Sequence, residues 1–367
     1  MRNNPFQPVL VPLIYLVTRL KSAELGTIKQ KMTAVKILYD FYSNEDYDFD
    51  ELLINCRFIQ IQEKLEQFVT FLVYERTEYC GIRSRELYLR AIAEYLTWAM
   101  QRYGYTGEIK KVQSQVLSSI RSLPPSPPDL LDDLLSHDEV RLIRKFSNPI
   151  FEENPFRKQN QNRNFLIVEL FIQTGIRLGE LLNLECRDIY ETENRCYISI
   201  VNHDNDPNDG RYNKPALKNN QSIRQVSISE ELYQALFGYI KLERRPIRQG
   251  KKIKLSHGYL FTSERGTPLA TTSVQTMLER IEKKVWSPHD SNKKHLHPHL
   301  FRHYFAEVFL EYAIETEQLD IEQAKDNLRA IGGWANQSQM PIYYAQRYMA
   351  ESANKLNQQR LRSKYED

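Results

Sequence analysis

Three imidazoles and a guanidinium fall within seven residues at HPHLFRH, where His297, His299, Arg302 and His303 stand at the start of an apolar run. A helix start calls for a cap and an amphipathic stripe, and neither need explains a cluster of titratable donors. His299 and Arg302 are spaced to share one face of a helix. A guanidinium beside an imidazole suits a phosphate, the first as fixed positive charge for its oxygens and the second as a proton carrier. Three other stretches carry groups of the same kind. Arg177 follows Gly175 in TGIRLGELLNL, where the glycine can end one helix and the guanidinium can project from the start of the next, whose dipole favours an anion. Lys218 lies in ALKNNQSIRQVSI, and Trp334, Tyr343 and Tyr344 lie in GGWANQSQMPIYYAQRY.

Each of these has a plainer reading. Arg177 with Glu180 makes an ordinary surface ion pair, worth about 0.2–0.5 kcal/mol. Lys218 is then a hairpin-tip lysine, and any one of the 22 tyrosines is a packing residue. A zinc site is the other chemistry available to His295, His297, His299 and His303, which include an i,i+4 pair. No HExxH motif is present and no adjacent carboxylate or cysteine completes a ligand set, so metal ligands are not expected.

The elements that must position these residues read as mainly helical. In GTIKQKMTAVKILYDFY, Ile28, Met32, Val35, Tyr39 and Tyr42 recur on one face, with Thr27 as the expected N-cap. IQIQEKLEQFVTFLVYE and SRELYLRAIAEYLTWAMQRY repeat the pattern, the second opened by Ser84, so residues 1–121 are expected to form a helical bundle. SLPPSPPDLLDDLL places four prolines between Ser122 and Asp129, which neither a helix nor a central strand absorbs; residues 122–135 are the expected linker. The second domain, residues 136–367, opens with Ser136 and Glu139 spaced for a capping box. Gly175 is the expected C-cap of the apolar helix NRNFLIVELFIQTG. RCYISIV and SIRQVSI alternate as strands around a polar connection, forming a long hairpin. Helical patterns return in SEELYQALFGYIKLE, TSVQTMLERIEKKV, RHYFAEVFLEYAI and IEQAKDNLRAI, and the polar stretch after the tyrosines also reads as a helix. The fold class is thus mainly α (α+β), with a small antiparallel sheet.

Composition bounds the partners. The 367 residues suit two domains, and 41% hydrophobic residues can bury a sizeable core. Four cysteines without a CxxC pair point to reduced thiols. The early apolar run holds two prolines and lacks a small-residue cleavage site, and no stretch reaches the roughly 18 apolar residues of a membrane span, so a soluble, cytoplasmic protein is expected. Net charge is only +3, yet residues 214–302 hold 17 Lys and Arg against 7 Asp and Glu, an excess that suits a phosphate backbone.

The order Arg, Lys, HxxR, Trp, Tyr resembles the catalytic domain of the tyrosine recombinases, the phage-integrase family. TGIRLGELLNLECRDI looks like its first arginine box and HPHLFRHYFA like its second. IGGWANQSQMPIYYA is similar to its closing segment, in which a His or Trp precedes the nucleophilic tyrosine by the interval that separates Trp334 from Tyr343. KNNQSIRQVSI resembles the hairpin that carries the family's lysine. The resemblance runs from about Ser136 to the C-terminus, and the preceding bundle matches the family's core-binding domain by position and size. Phe301 replaces the usual leucine of the second box, and Gly332 stands where leucine commonly precedes glycine.

The resemblance implies a catalytic set of Arg177, Lys218, His299, Arg302, Trp334 and Tyr343, with Lys214 and Tyr344 as alternatives for the lysine and the nucleophile. It implies a site-specific recombinase that works through a 3'-phosphotyrosyl intermediate and a Holliday junction without metal, ATP or cofactor. Its partners would be double-stranded DNA bearing recombination sites, a homotetramer on synapsed DNA and accessory DNA-bending factors, and its location the nucleoid. An integrase or transposase of a mobile element is the favoured task. The alternatives are a catalytically inactive DNA-binding accessory protein of the same fold and a Xer-like dimer resolvase.

Overall fold

A computed structural model describes residues 9–23, 25–75, 81–123, 134–193, 195–203, 209–211, 214–215, 222–287, 289–290 and 293–365. The chain divides into two compact units, Met1–Leu130 and Leu131–Asp367. The prolines of the expected linker lie outside the described residues.

The first unit is helical: α1 (Leu10–Arg19), α2 (Leu25–Asn44), α3 (Phe49–Ile54), α4 (Phe58–Thr70), α5 (Ile82–Arg102) and α6 (Ile109–Ser118). The periodic face of α2 points inward as its spacing implies, with Val35 and Tyr42 buried and Ile28, Met32 and Tyr39 packed beside them. Two caps differ from expectation. Helix α2 already includes Leu25, so Thr27 lies inside it. Helix α5 starts at Ile82, because the Gly81 carbonyl accepts the Arg85 N–H at 3.0 Å and Ser84 falls within the first turn. Two buried aspartate oxygens show how the bundle is tied together: Asp50 Oδ2 accepts the Leu10 N–H at the start of α1 (2.9 Å), and its Oδ1 accepts the Tyr39 hydroxyl (2.7 Å).

The second unit begins with α7 (His137–Ser147), whose Ser136 and Glu139 form the capping box that their spacing implies. It continues through α8 (Lys158–Thr174), α9 (Leu178–Asn183), β1 (Ile189–Thr192), β2 (Arg195–Ile200), β3 (Arg224–Ile228), α10 (Glu230–Leu242), the short pair β4 (Ile247–Arg248) and β5 (Lys251–Lys252), α11 (Thr271–Val285), α12 (Pro298–Glu311), α13 (Ile321–Gly332) and α14 (Met340–Tyr365). The sheet β1-β2-β3 is antiparallel, with Ile198 opposite Val226 in the expected hairpin. Its first strand, β1, was not legible in the sequence.

Two apolar clusters organise this unit. One joins α8, β2, β3, α10, α11 and the start of α12. The other joins the rest of α12, α13, Trp334 and Tyr344. Helix α12 crosses the seam: Phe301 stacks on Phe171 in the first cluster (centroids 5.6 Å apart), while Phe305 belongs to the second. Arg302 lies between them. Phenylalanine at 301 is therefore a packing choice, since the larger ring reaches Phe171. Gly332 has a reason of the same kind, because a side chain there would run into the Trp334 ring.

Candidate active site

Gly175 ends α8 in the left-handed conformation (φ 56°), and the chain turns at once into α9 with Arg177 as its N-cap. A helix start leaves backbone N–H groups unpaired. Glu180 meets one of them, as its Oε2 accepts the Arg177 N–H at 3.0 Å, while its Oε1 accepts the Arg177 Nη1 at 2.6 Å. The plain reading of this pair as a surface interaction fails on burial: Glu180 is 2% exposed. Burial presses its carboxyl toward the neutral form, but Arg224 and then Arg177 outweigh that and hold it below the usual carboxylate range.

Arg302 is buried on α12. Its Nη1 donates to the Gly175 carbonyl (2.7 Å) and its Nη2 to the Gly332 carbonyl (2.6 Å), and its guanidinium lies 4.0 Å from the centre of the Trp334 ring. That ring face attracts the cation, and the contact is worth about 2 kcal/mol when water is excluded. Burial, and after it the charge of Arg177, brings Arg302 down to about 9, which leaves it cationic at neutral pH. Among the described residues, the buried Glu180 thus bonds Arg177 and Arg224 and, without bonding it, offsets part of the charge of Arg302. An anion would relieve that excess of positive charge.

Sequence reasoning passed over a further property of these arginines. Helix α13 ends at Gly332, with Gly333 left-handed (φ 61°) as its C-cap. The carbonyls of its last turn need donors and carry the negative end of the helix dipole. Arg224 Nε donates to Ile331 (2.7 Å), Arg302 Nη2 to Gly332 and Arg177 Nη2 to Gly333 (3.1 Å). Glu180 and Arg224 were missed as site residues because the first looked like a surface partner and the second like a strand residue near the lysine. A signal was present: Arg224 has the same parity as buried Val226 and Ile228, so it faces inward.

His299 is exposed in the first turn of α12, and its ring centroid lies 6.2 Å from that of His297, the N-cap residue. His303 is one turn further on. Burial, then the nearby His299 and His297, lower its pKa to about 4, so it is neutral at pH 7. Its Nδ1 lies 2.8 Å from the Tyr344 hydroxyl.

The two tyrosines of α14 differ sharply. Tyr344 is 1% exposed, bonded to His303 and raised well above the usual phenol range by burial. Tyr343 is half-buried in the first turn, and its hydroxyl has no hydrogen-bond partner among the described residues. The Tyr344 ring lies 5.8 Å from both Trp334 and Tyr343. The fold therefore brings Arg302 and Trp334 into direct contact and Arg177 onto the neighbouring Gly333 carbonyl, with His299 on the helix of Arg302 and Tyr343 adjoining through Tyr344. Lys218 lies outside the described residues; Lys214 is exposed.

A mainly helical unit with a three-stranded antiparallel sheet, carrying clustered arginines and an available tyrosine, defines the class, and the family follows from the sequence. The model of the phage integrase family matches residues 133–350, and the chain belongs to this family, the tyrosine recombinases. It is 25% identical over 294 residues to the tyrosine recombinase XerC of Bacillus pumilus, covering 77% of this chain and 83% of that protein. It is 25% identical over 238 residues to the integrase of Staphylococcus phage L54a, covering 62% of each. The fold is similar to that of the XerH site-specific recombinase bound to a palindromic difH substrate in its post-cleavage complex, with a TM-score of 0.56 at 16% identity, covering 91% of this chain and 80% of that one.

Proposed function

We propose that this protein is a site-specific DNA recombinase that cuts and rejoins strands through Tyr343. The phenolic oxygen attacks the scissile phosphorus, the bond to the 5'-oxygen breaks, and a 3'-phosphotyrosyl link conserves the bond energy until a second strand's hydroxyl reverses the step. Arg177 and Arg302 stabilise the charge that develops on the non-bridging oxygens. Lys218 protonates the leaving 5'-oxygen, with Lys214 the alternative, and His299 hydrogen-bonds the phosphate and assists proton transfer at Tyr343. Trp334, whose indole offers a single N–H donor, buttresses Arg302 through its ring face. Neither metal nor ATP takes part. The observation that carries this reading is the buried Glu180 bonded by Arg177 and Arg224 beside the buried Arg302, in a fold whose nucleophile candidate is a tyrosine with no hydrogen-bond partner among the described residues.

In this reading the helical unit and the catalytic unit both grip duplex DNA, and exchange takes place in a homotetramer, with accessory DNA-bending factors assisting. The favoured task is integration or transposition of a mobile element. Dimer resolution is a second reading, supported by the extent of the match to XerC. The test uses a duplex selected by the protein from a random pool and then nicked beside the cleavage point to trap the intermediate. A denaturation-stable adduct should form in EDTA, and Tyr343→Phe should abolish it. A wild-type protein that binds the selected duplex but forms no adduct would be an accessory factor instead.

A further inference from the structure

We infer that Arg224 is a positioning residue, which fixes the Arg177 guanidinium through Glu180 and fixes the turn before Trp334 through the Ile331 carbonyl. This rests on the reading of Arg177 and Arg302 as phosphate ligands.

The geometry leaves Arg224 no direct role. Its side chain is 6% exposed. Its Nη1 donates to Glu180 Oε1 (3.2 Å) and to the Ser222 carbonyl (2.8 Å), its Nη2 to Glu180 Oε2 (3.0 Å) and its Nε to Ile331 (2.7 Å). Its donors are directed at protein acceptors, so it is built in rather than held out for a ligand. Both Glu180 oxygens are shared, Oε1 with the Arg177 side chain and Oε2 with the Arg177 backbone. A carboxylate gripped from one side by the fork of Arg224 offers Arg177 one orientation from the other. A lysine could supply the charge but not the planar set of donors that reaches three separate acceptors. The chain also makes room for this arginine: a Cβ on Gly333 would lie 2.5 Å from Arg224 Nη1.

Electrostatics point the same way. Burial works against the charged form of Glu180, and Arg224 is the first of the groups that oppose it, ahead of Arg177. Among the described residues, the charged groups facing Glu180 are Arg177 at the N-cap of α9, Arg224 on β3 and Arg302 on α12. Without Arg224, Glu180 takes up a proton at higher pH, and a neutral Glu180 holds Arg177 more weakly.

Arg224→Gln and Arg224→Lys would be compared with the wild type on the selected duplex and its nicked form. Affinity and its salt dependence should stay at wild-type values, because Arg224 touches no phosphate, whereas loss of a phosphate ligand lowers the salt slope by about 0.9. The single-turnover rate of adduct formation should fall roughly 10²-fold in Arg224→Gln, the scale expected when a catalytic group is misplaced by about 1 Å, and about tenfold in Arg224→Lys, which keeps the charge. In Arg224→Gln the acid limb of the rate should also move to higher pH, which a general loss of stability would not produce. Should Arg224→Gln fail to fold, the lysine variant carries the test. A folded variant with wild-type rate and pH profile overturns the inference while leaving the recombinase reading intact. A wild-type protein that forms no adduct removes both.

Discussion

Replacing Gly175 with alanine tests whether the turn between α8 and α9 is as tightly determined as the geometry implies. Two costs add. Alanine in the left-handed region is disfavoured by about 1–2 kcal/mol. The new Cβ would stand 2.5 Å from Cδ1 and 2.8 Å from Cγ of Phe305, a ring that is 8% exposed and set within the cluster of Ala306, Leu310 and Trp334. Overpacking of this kind costs about 1–3 kcal/mol. The expected loss is therefore about 2–5 kcal/mol, since the two effects act on different coordinates. Two companions separate them. Gly175→Asn tolerates the backbone conformation better but keeps the clash, and Gly175→Ala with Phe305→Leu relieves the clash but keeps the strain. Urea unfolding followed by tryptophan fluorescence in a Trp98→Phe background would report on Trp286 and Trp334, both in the second unit. The Gly175 carbonyl also anchors Arg302, so adduct formation should fall with stability. Losses below about 0.5 kcal/mol in both single variants, the level of an ordinary surface substitution, would refute the reasoning.

Other outcomes follow from the same geometry. Tyr344→Phe should retain adduct formation and lose about 1 kcal/mol of stability, the value of its hydrogen bond to His303; loss of the adduct would make Tyr344 the nucleophile. Trp334→Ala should cost about 3–5 kcal/mol through the cavity and the exposed Arg302, and Trp334→Phe much less, as read by the same unfolding assay. Glu307 provides a pH signature. Burial raises its carboxyl to about 7 despite the Arg347 Nη1 3.1 Å away, so the folded state holds a proton that the unfolded chain has released. Its contribution to stability is accordingly intact below the unfolded pKa near 4.5 and is lost as pH rises toward 7. Glu307→Gln should gain on the wild type between pH 5 and pH 8 by about 1–3 kcal/mol, visible as a growing difference in Tm. A difference in Tm that does not change with pH would contradict this.

How much of this was legible in the sequence depended on whether a property is local. The face of α2, the Ser136–Glu139 capping box, the glycine end of α8 and the β2–β3 hairpin all follow from spacing and backbone preference within a few residues, and they appear as expected. The caps at Thr27 and Ser84 misled because a hydroxyl near a helix start is a local hint that the actual path of the chain can override. Strand β1 was missed because four residues, IYET, carry too short a pattern to register.

For the site, the chain alone marked the residue types and their order, since a guanidinium, an imidazole and a phenol are recognisable wherever they stand, and that order was enough for the family. Burial and partnership belong to the tertiary structure. Only the fold turns Glu180 from a surface partner into a buried carboxylate bonded by Arg177 and Arg224, and separates Tyr343 from Tyr344 by burying one hydroxyl against His303. The physical reason is that each of these depends on groups brought together from distant parts of the chain: Arg177 and Gly333 are 156 residues apart and meet at 3.1 Å. What a charge is worth depends on how much water the fold removes from around it, and nothing in a linear order of residues carries that quantity.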